Sequence, residues 1–189
     1  MNPDGSKPRV CPRWIGYFLL SPLRRIAHDP DSILGPYVRE GMTVLEIGPG
    51  MGYFSLPLAR LVGKEGRVIC VDVQEKMLEK LKKRASKAGV LECITLVLAV
   101  EDSLRIEAFE EKVDFVLAFA VVHEAPDQDR FFDQIYRSMK SSALLLVSEP
   151  RGRVTEEGFQ RTVETARAKG FTVESSLNIK KNISVLLRK

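Results

Sequence analysis

The segment Val44–Ser55 reads V-L-E-I-G-P-G-M-G-Y-F-S. An apolar run of high strand propensity enters three glycines, Gly48, Gly50 and Gly52, and an amphipathic segment follows. That order is the pattern of a buried strand, a tight turn and the start of a helix. Glycines at alternate positions let the backbone bend sharply and leave no Cβ between it and a ligand. A ligand is therefore expected to lie against this bend.

Charge narrows the ligand. A dinucleotide fingerprint needs its third glycine three residues after the second. Here that position is Tyr53, and the third glycine arrives early, at Gly52. Glu46 stands two residues before Gly48, and a carboxylate aimed into the pocket repels a pyrophosphate and favours a cation. At these residues the chain resembles the class I S-adenosylmethionine-dependent methyltransferases. Their acidic-x-Gly-x-Gly-x-Gly loop matches Glu46, Gly48, Gly50 and Gly52, with Pro49 inside it. The resemblance implies S-adenosylmethionine as cofactor, which brings a sulfonium and an ammonium.

The chain has 189 residues, enough for one domain with a sizeable core. Its 44% hydrophobic and 29% charged residues are ordinary for a soluble globular protein. A net charge of +4 permits an anionic partner without demanding one. Cys11, Cys70 and Cys93 are few and widely spaced, which argues against a disulfide framework and points to the cytoplasm. No apolar run is long enough to span a bilayer. Lys7, Arg9 and Arg13 before the apolar run 14–20 resemble a signal peptide, but no small-x-small cleavage site follows.

Residues 1–8 read as disordered, and Ile15, Phe18, Leu19, Leu23 and Ile26 form a helical apolar stripe that Pro22 interrupts. A short helix is expected at Asp29-Pro30, with the acid as cap and the proline in the first turn. Residues 1–40 are thus a helical extension that either covers the cleft or docks on the core, and residues 41–189 are one globular unit. Helices are expected over 51–61, 75–87, 128–139 and from Thr155 to Gly170; strands are expected over 68–73, 93–99, 113–122, 143–148, 171–177 and 183–187. Strands alternating with helices give an α/β, doubly wound, Rossmann-like parallel sheet in a three-layer sandwich. The two closing strands form a hairpin and so supply one antiparallel strand. The resemblance implies seven strands, with the last inserted beside its predecessor.

Asp72 ends the second strand, where an acid can accept hydrogen bonds from ribose hydroxyls. The resemblance makes it the ribose-binding acid and sets Val73 against the adenine. It places the acid that meets the adenine amino group at Val100 rather than Glu101, a departure that leaves a main-chain contact at Val100 and an open question at Glu101. Main chain near Ala118 would hold the methionine portion. His123 is the candidate general base, because histidine ordinarily titrates near neutrality; equally, it ties its loop to its neighbours. Glu124 either orients His123 or meets substrate, and Glu149 and Arg151 open onto the same edge as substrate contacts. Tyr17, with Trp14, would roof the site. With only His28 and His123, and cysteines lacking ligand spacing, no metal is expected.

Three readings follow. The first is a methyltransferase acting on a small molecule, with protein or RNA as other acceptors; nine basic against four acidic residues from Arg151 onward keep RNA open. The second is a non-catalytic S-adenosylmethionine-binding module that docks a partner protein. The third, an NAD-type oxidoreductase, is opposed by Glu46 and Tyr53.

Overall fold

The computed structural model describes residues 28–100 and 102–189. The expectations for the stripe at 15–26, for Trp14 and Tyr17 and for Glu101 lie outside the described residues. Seven strands form one sheet: β1 (Thr43–Ile47), β2 (Arg67–Asp72), β3 (Ile94–Leu98), β4 (Val113–Phe119), β5 (Met139–Pro150), β6 (Thr172–Leu177) and β7 (Asn182–Arg188). Their order across the sheet is β3-β2-β1-β4-β5-β7-β6. β7 runs antiparallel to both β5 and β6, and the remaining neighbours are parallel.

The helices follow from local signals. In α1 (Pro30–Leu34), the Asp29 carboxylate accepts the Ser32 N–H at 3.2 Å, and Pro30 occupies the first turn. α2 spans Ser55–Val62, α3 Glu75–Lys87, α4 Gln128–Ser138 and α5 Glu156–Ala168. Asp127 caps α4 and Thr155 caps α5, each accepting a backbone N–H with its side-chain oxygen. Strand parity then sorts the core into two layers. Leu45, Ile69, Val116 and Leu145 face Phe132 and Ile135 of α4 and Phe159 of α5. Val44, Val68, Phe115 and Leu186 face Leu34 of α1, Leu58 of α2 and Leu81 of α3. The result is a three-layer sandwich with helices on both faces. Each fully buried leucine-sized side chain contributes about 1.5–3 kcal/mol. Leu34 and Val38 are buried in the second layer, so residues 28–40 pack against the sheet.

Three boundaries differ from the expectation by three residues or more, the others by one or two. α2 begins at Ser55 and not Met51, because residues 51–54 form turns about Gly52, whose φ is +84°. Pro57 thereby falls at the third helical position, where its missing N–H leaves no intrahelical bond unmade. β4 stops at Phe119, since Ala120 adopts a left-handed φ of +58°. β5 is longer than expected and reaches back to Met139, which pairs with Val113 before a register shift whose extra residues lie in β5. Chain order reverses between β1 and β4, and ligands of open α/β sheets sit outside the strand ends at such a point.

Candidate active site

At that reversal the glycine bend leaves β1. A Cβ on Gly48 would lie 2.8 Å from Val121 Cγ2, so the bend after β1 abuts the segment after β4. Gly50 has a φ of +54°, yet a Cβ there would meet no protein atom within 4 Å: the space above it is open. Gly52 is the reverse case, since its Cβ would come within 2.4 Å of Leu81 Cδ1 and 2.8 Å of Leu56 Cδ1. Gly50 faces open space, whereas Gly52 permits α2 and α3 to close on the bend. The bend is braced by the Gly52 N–H donating to the Pro49 carbonyl at 2.9 Å and by the Arg84 guanidinium donating to the Met51 carbonyl.

Glu46 departs from the expectation of a carboxylate open to the cofactor. It is 3% exposed and lies on the α2 face of β1, where its oxygen accepts the Ser55 hydroxyl and stands 3.7 Å from Cys70 Sγ. Position 46 shares the parity of Val44, and that parity turns it beneath the bend. Cys70 is fully buried, and burial, reinforced by the neighbouring Glu46 carboxylate, pushes its thiol well above the ordinary value of 9.0. That environment keeps the thiol protonated and unreactive.

Asp72 closes β2, and its two oxygens accept the Gly50 N–H at 3.2 Å and the Gln74 N–H at 2.8 Å. Burial raises its pKa above 3.8, while these backbone donors pull the other way. Beside it, Val73 is 50% exposed, Leu98 39% and Val100 36%. Three apolar side chains left open at the ends of adjoining strands β2 and β3 make a surface suited to a flat apolar ring. Val100 bridges to Ser103, which folds the chain back after β3. Ala118 is wholly buried between Ile47 and Val147, with its side chain in the core.

Across the bend, Glu149 at the end of β5 is 1% exposed. Its Oε1 accepts the Val121 N–H at 3.2 Å and the Val122 N–H at 2.7 Å, and its Oε2 pairs with His123 Nδ1. Glu149 is therefore not the open substrate contact that the sequence suggested; β4 and β5 are neighbours, and their pairing brings it under the 121–123 turn. His123 Nε2 is buried without a hydrogen-bond partner among the described residues, 3.9 Å from Glu124 Oε1. Glu149 thus meets the imidazole at Nδ1, and Glu124 stands near it at Nε2. Arg151 is exposed and paired with Glu156 in the first turn of α5.

Gly50, open above its Cα, donates its N–H to Asp72, and the exposed side chains of Val73, Leu98 and Val100 stand at the neighbouring ends of β2 and β3. A model of the methyltransferase domain family matches residues 38–184. The chain belongs to that family.

Among curated relatives, the ubiquinone/menaquinone biosynthesis C-methyltransferase UbiE of Escherichia coli is 30% identical over 112 residues, 59% of this chain and 44% of the relative. This methyltransferase domain thus aligns with less than half the length of that relative. The crystal structure of an S-adenosylmethionine-dependent methyltransferase from Aquifex aeolicus superposes with a TM-score of 0.85 at 24% identity, covering 95% of this chain and 99% of the other. The [4+2]-cyclase SpnF superposes with a TM-score of 0.72 at 13% identity, covering 98% and 99%. The same fold therefore carries a protein named for another reaction, and the chemistry must be argued from the site. Among the described residues no helix is long and apolar enough to cross a membrane.

Proposed function

We propose that this methyltransferase domain transfers a methyl group from S-adenosylmethionine to a small-molecule acceptor, with His123 as general base. The observation that carries the reading is the buried His123 Nε2, without a hydrogen-bond partner among the described residues, on a turn whose Val121 abuts Gly48 of the bend. In this reading Asp72 holds the ribose, Val73, Leu98 and Val100 hold the adenine, and Gly48, Pro49 and Gly50 let the main chain approach the remainder. Glu46 acts from beneath the bend by anchoring α2. When bound, S-adenosylmethionine supplies an electrophilic methyl carbon. The protein's part is to hold an acceptor in line with it and to remove the acceptor's proton. The C-methyltransferase named among the relatives supports a small-molecule acceptor.

The test is incubation of the full chain with methyl-labelled S-adenosylmethionine and cell extract, followed by separation of small molecules from protein and RNA. Label is expected in the small-molecule fraction. His123→Ala should lower that transfer by about 10²–10⁴-fold without loss of S-adenosylhomocysteine binding. Label confined to protein or RNA refutes the small-molecule reading. Cofactor binding without any transfer favours the non-catalytic module.

A further inference from the structure

We infer that Glu149 is the positioning residue of this site: it fixes the proton of neutral His123 on Nδ1 and leaves the Nε2 lone pair for the acceptor's proton. The inference rests on the methyltransferase reading for its purpose, though not for its geometry. Ala120, a non-glycine residue at a φ of +58°, turns the chain as it leaves β4. The turn presents the Val121 and Val122 amides to one oxygen of Glu149. The other oxygen faces His123 Nδ1. With two N–H donors filling Oε1, the interaction at Oε2 needs a proton between it and Nδ1, and an ionised carboxylate can only accept. Neutral imidazole has one N–H, so Nε2 is left as an acceptor.

Nε2 is the ring atom without a hydrogen-bond partner among the described residues, the Glu124 carboxylate standing 3.9 Å away. A buried acceptor of this kind calls for an incoming donor. The acceptor class follows: a molecule that arrives carrying a removable proton on oxygen, sulfur or an acidic carbon. Its X–H bond breaks, the electron pair stays on X to attack the methyl carbon, and the proton forms a new N–H bond at Nε2. The resulting imidazolium is held by the Glu149 carboxylate, whose buried charge then has a cationic partner.

Glu149→Gln separates a positioning role from a packing role. The amide has nearly the same shape. Its single carbonyl oxygen must serve the Val121 and Val122 N–H groups, which places its NH₂ against Nδ1. Nδ1 then has to accept, and the histidine proton moves to Nε2. The full chain holds only two histidines, so ¹⁵N-detected imidazole spectra recorded near pH 8.5 (about two units above an ordinary histidine pKa) are assigned by comparison with His123→Gln.

The wild type is expected to carry the His123 proton on Nδ1 in about tenfold excess or more, and Glu149→Gln is expected to reverse that preference. Its methyl transfer should fall about 10²–10⁴-fold with S-adenosylhomocysteine affinity within about twofold of wild type. A wild-type proton on Nε2 overturns the inference, as does an unchanged tautomer in a folded Glu149→Gln protein. If that variant does not fold, the wild-type spectrum alone decides. The expected tautomer with no transfer to any acceptor supports the geometry and overturns the base role, since it counts against the methyltransferase reading rather than the positioning.

Discussion

Replacing Gly50 by alanine separates cofactor binding from folding. An L-residue at a φ of +54° carries a left-handed penalty of about 1–2 kcal/mol. The added Cβ meets no protein atom within 4 Å, so no overpacking is expected in the free protein. For a chain of this size, each kcal/mol lowers the melting temperature by about 2–4 °C, which gives a fall of about 2–8 °C. The new methyl would project into that open space, where the cofactor is placed. Forcing a methyl group into a filled site costs about 1–3 kcal/mol, and S-adenosylhomocysteine should bind about 5–150-fold more weakly. Differential scanning fluorimetry reads the first quantity and isothermal titration calorimetry the second. An affinity within twofold of wild type, with the melting temperature lowered as expected, would refute the placement of the cofactor against Gly50. Loss of the fold would refute the claim that the space is empty.

Gly52→Ala should behave differently, because its Cβ would press on Leu81 and Leu56 at a φ of +84°. Strain and overpacking together predict about 2–5 kcal/mol of destabilisation in urea, and a loss no greater than that of Gly50→Ala would contradict it. Ala120→Val adds a branched side chain in the left-handed region and should cost about 1–3 kcal/mol, whereas Ala120→Gly should be neutral or stabilising by up to about 1 kcal/mol; the order of denaturation midpoints checks both. Asp72 predicts a pH dependence. Its folded pKa is raised above 3.8 by burial, so the ionised form is disfavoured in the fold relative to the unfolded chain. The cofactor-free protein should gain stability from this group as pH falls through the raised value toward 3.8. Over the same window S-adenosylhomocysteine affinity should fall, because the protonated carboxyl loses an acceptor for ribose hydroxyls. Calorimetry across that window, set against Asp72→Ala, tests both signs.

Much of this architecture is written in local patterns. The 75–87 helix follows from its apolar spacing, and the Asp29, Asp127 and Thr155 caps announce their helices. The glycine bend was legible because three glycines after a buried strand have few other uses. What the chain order hides is tertiary. Glu149 looks like an exposed acid at a strand end, and only the pairing of β4 with β5 sets it beneath residues 121–123, which lie 26 to 28 positions earlier. Glu46 looked like a cofactor contact, but period-two alternation turns it to the α2 face, against Ser55. Ala120 ends β4 two residues before its apolar run does, and no feature of alanine signals a left-handed turn.

The central claim is that this crevice receives an adenosine-bearing sulfur compound rather than a dinucleotide. Side-by-side calorimetry of the full chain with S-adenosylhomocysteine and with NAD tests it most directly. Saturable one-to-one binding of S-adenosylhomocysteine, weakened in Gly50→Ala, with no heat from NAD, is the predicted result. Binding of NAD in place of S-adenosylhomocysteine would contradict it.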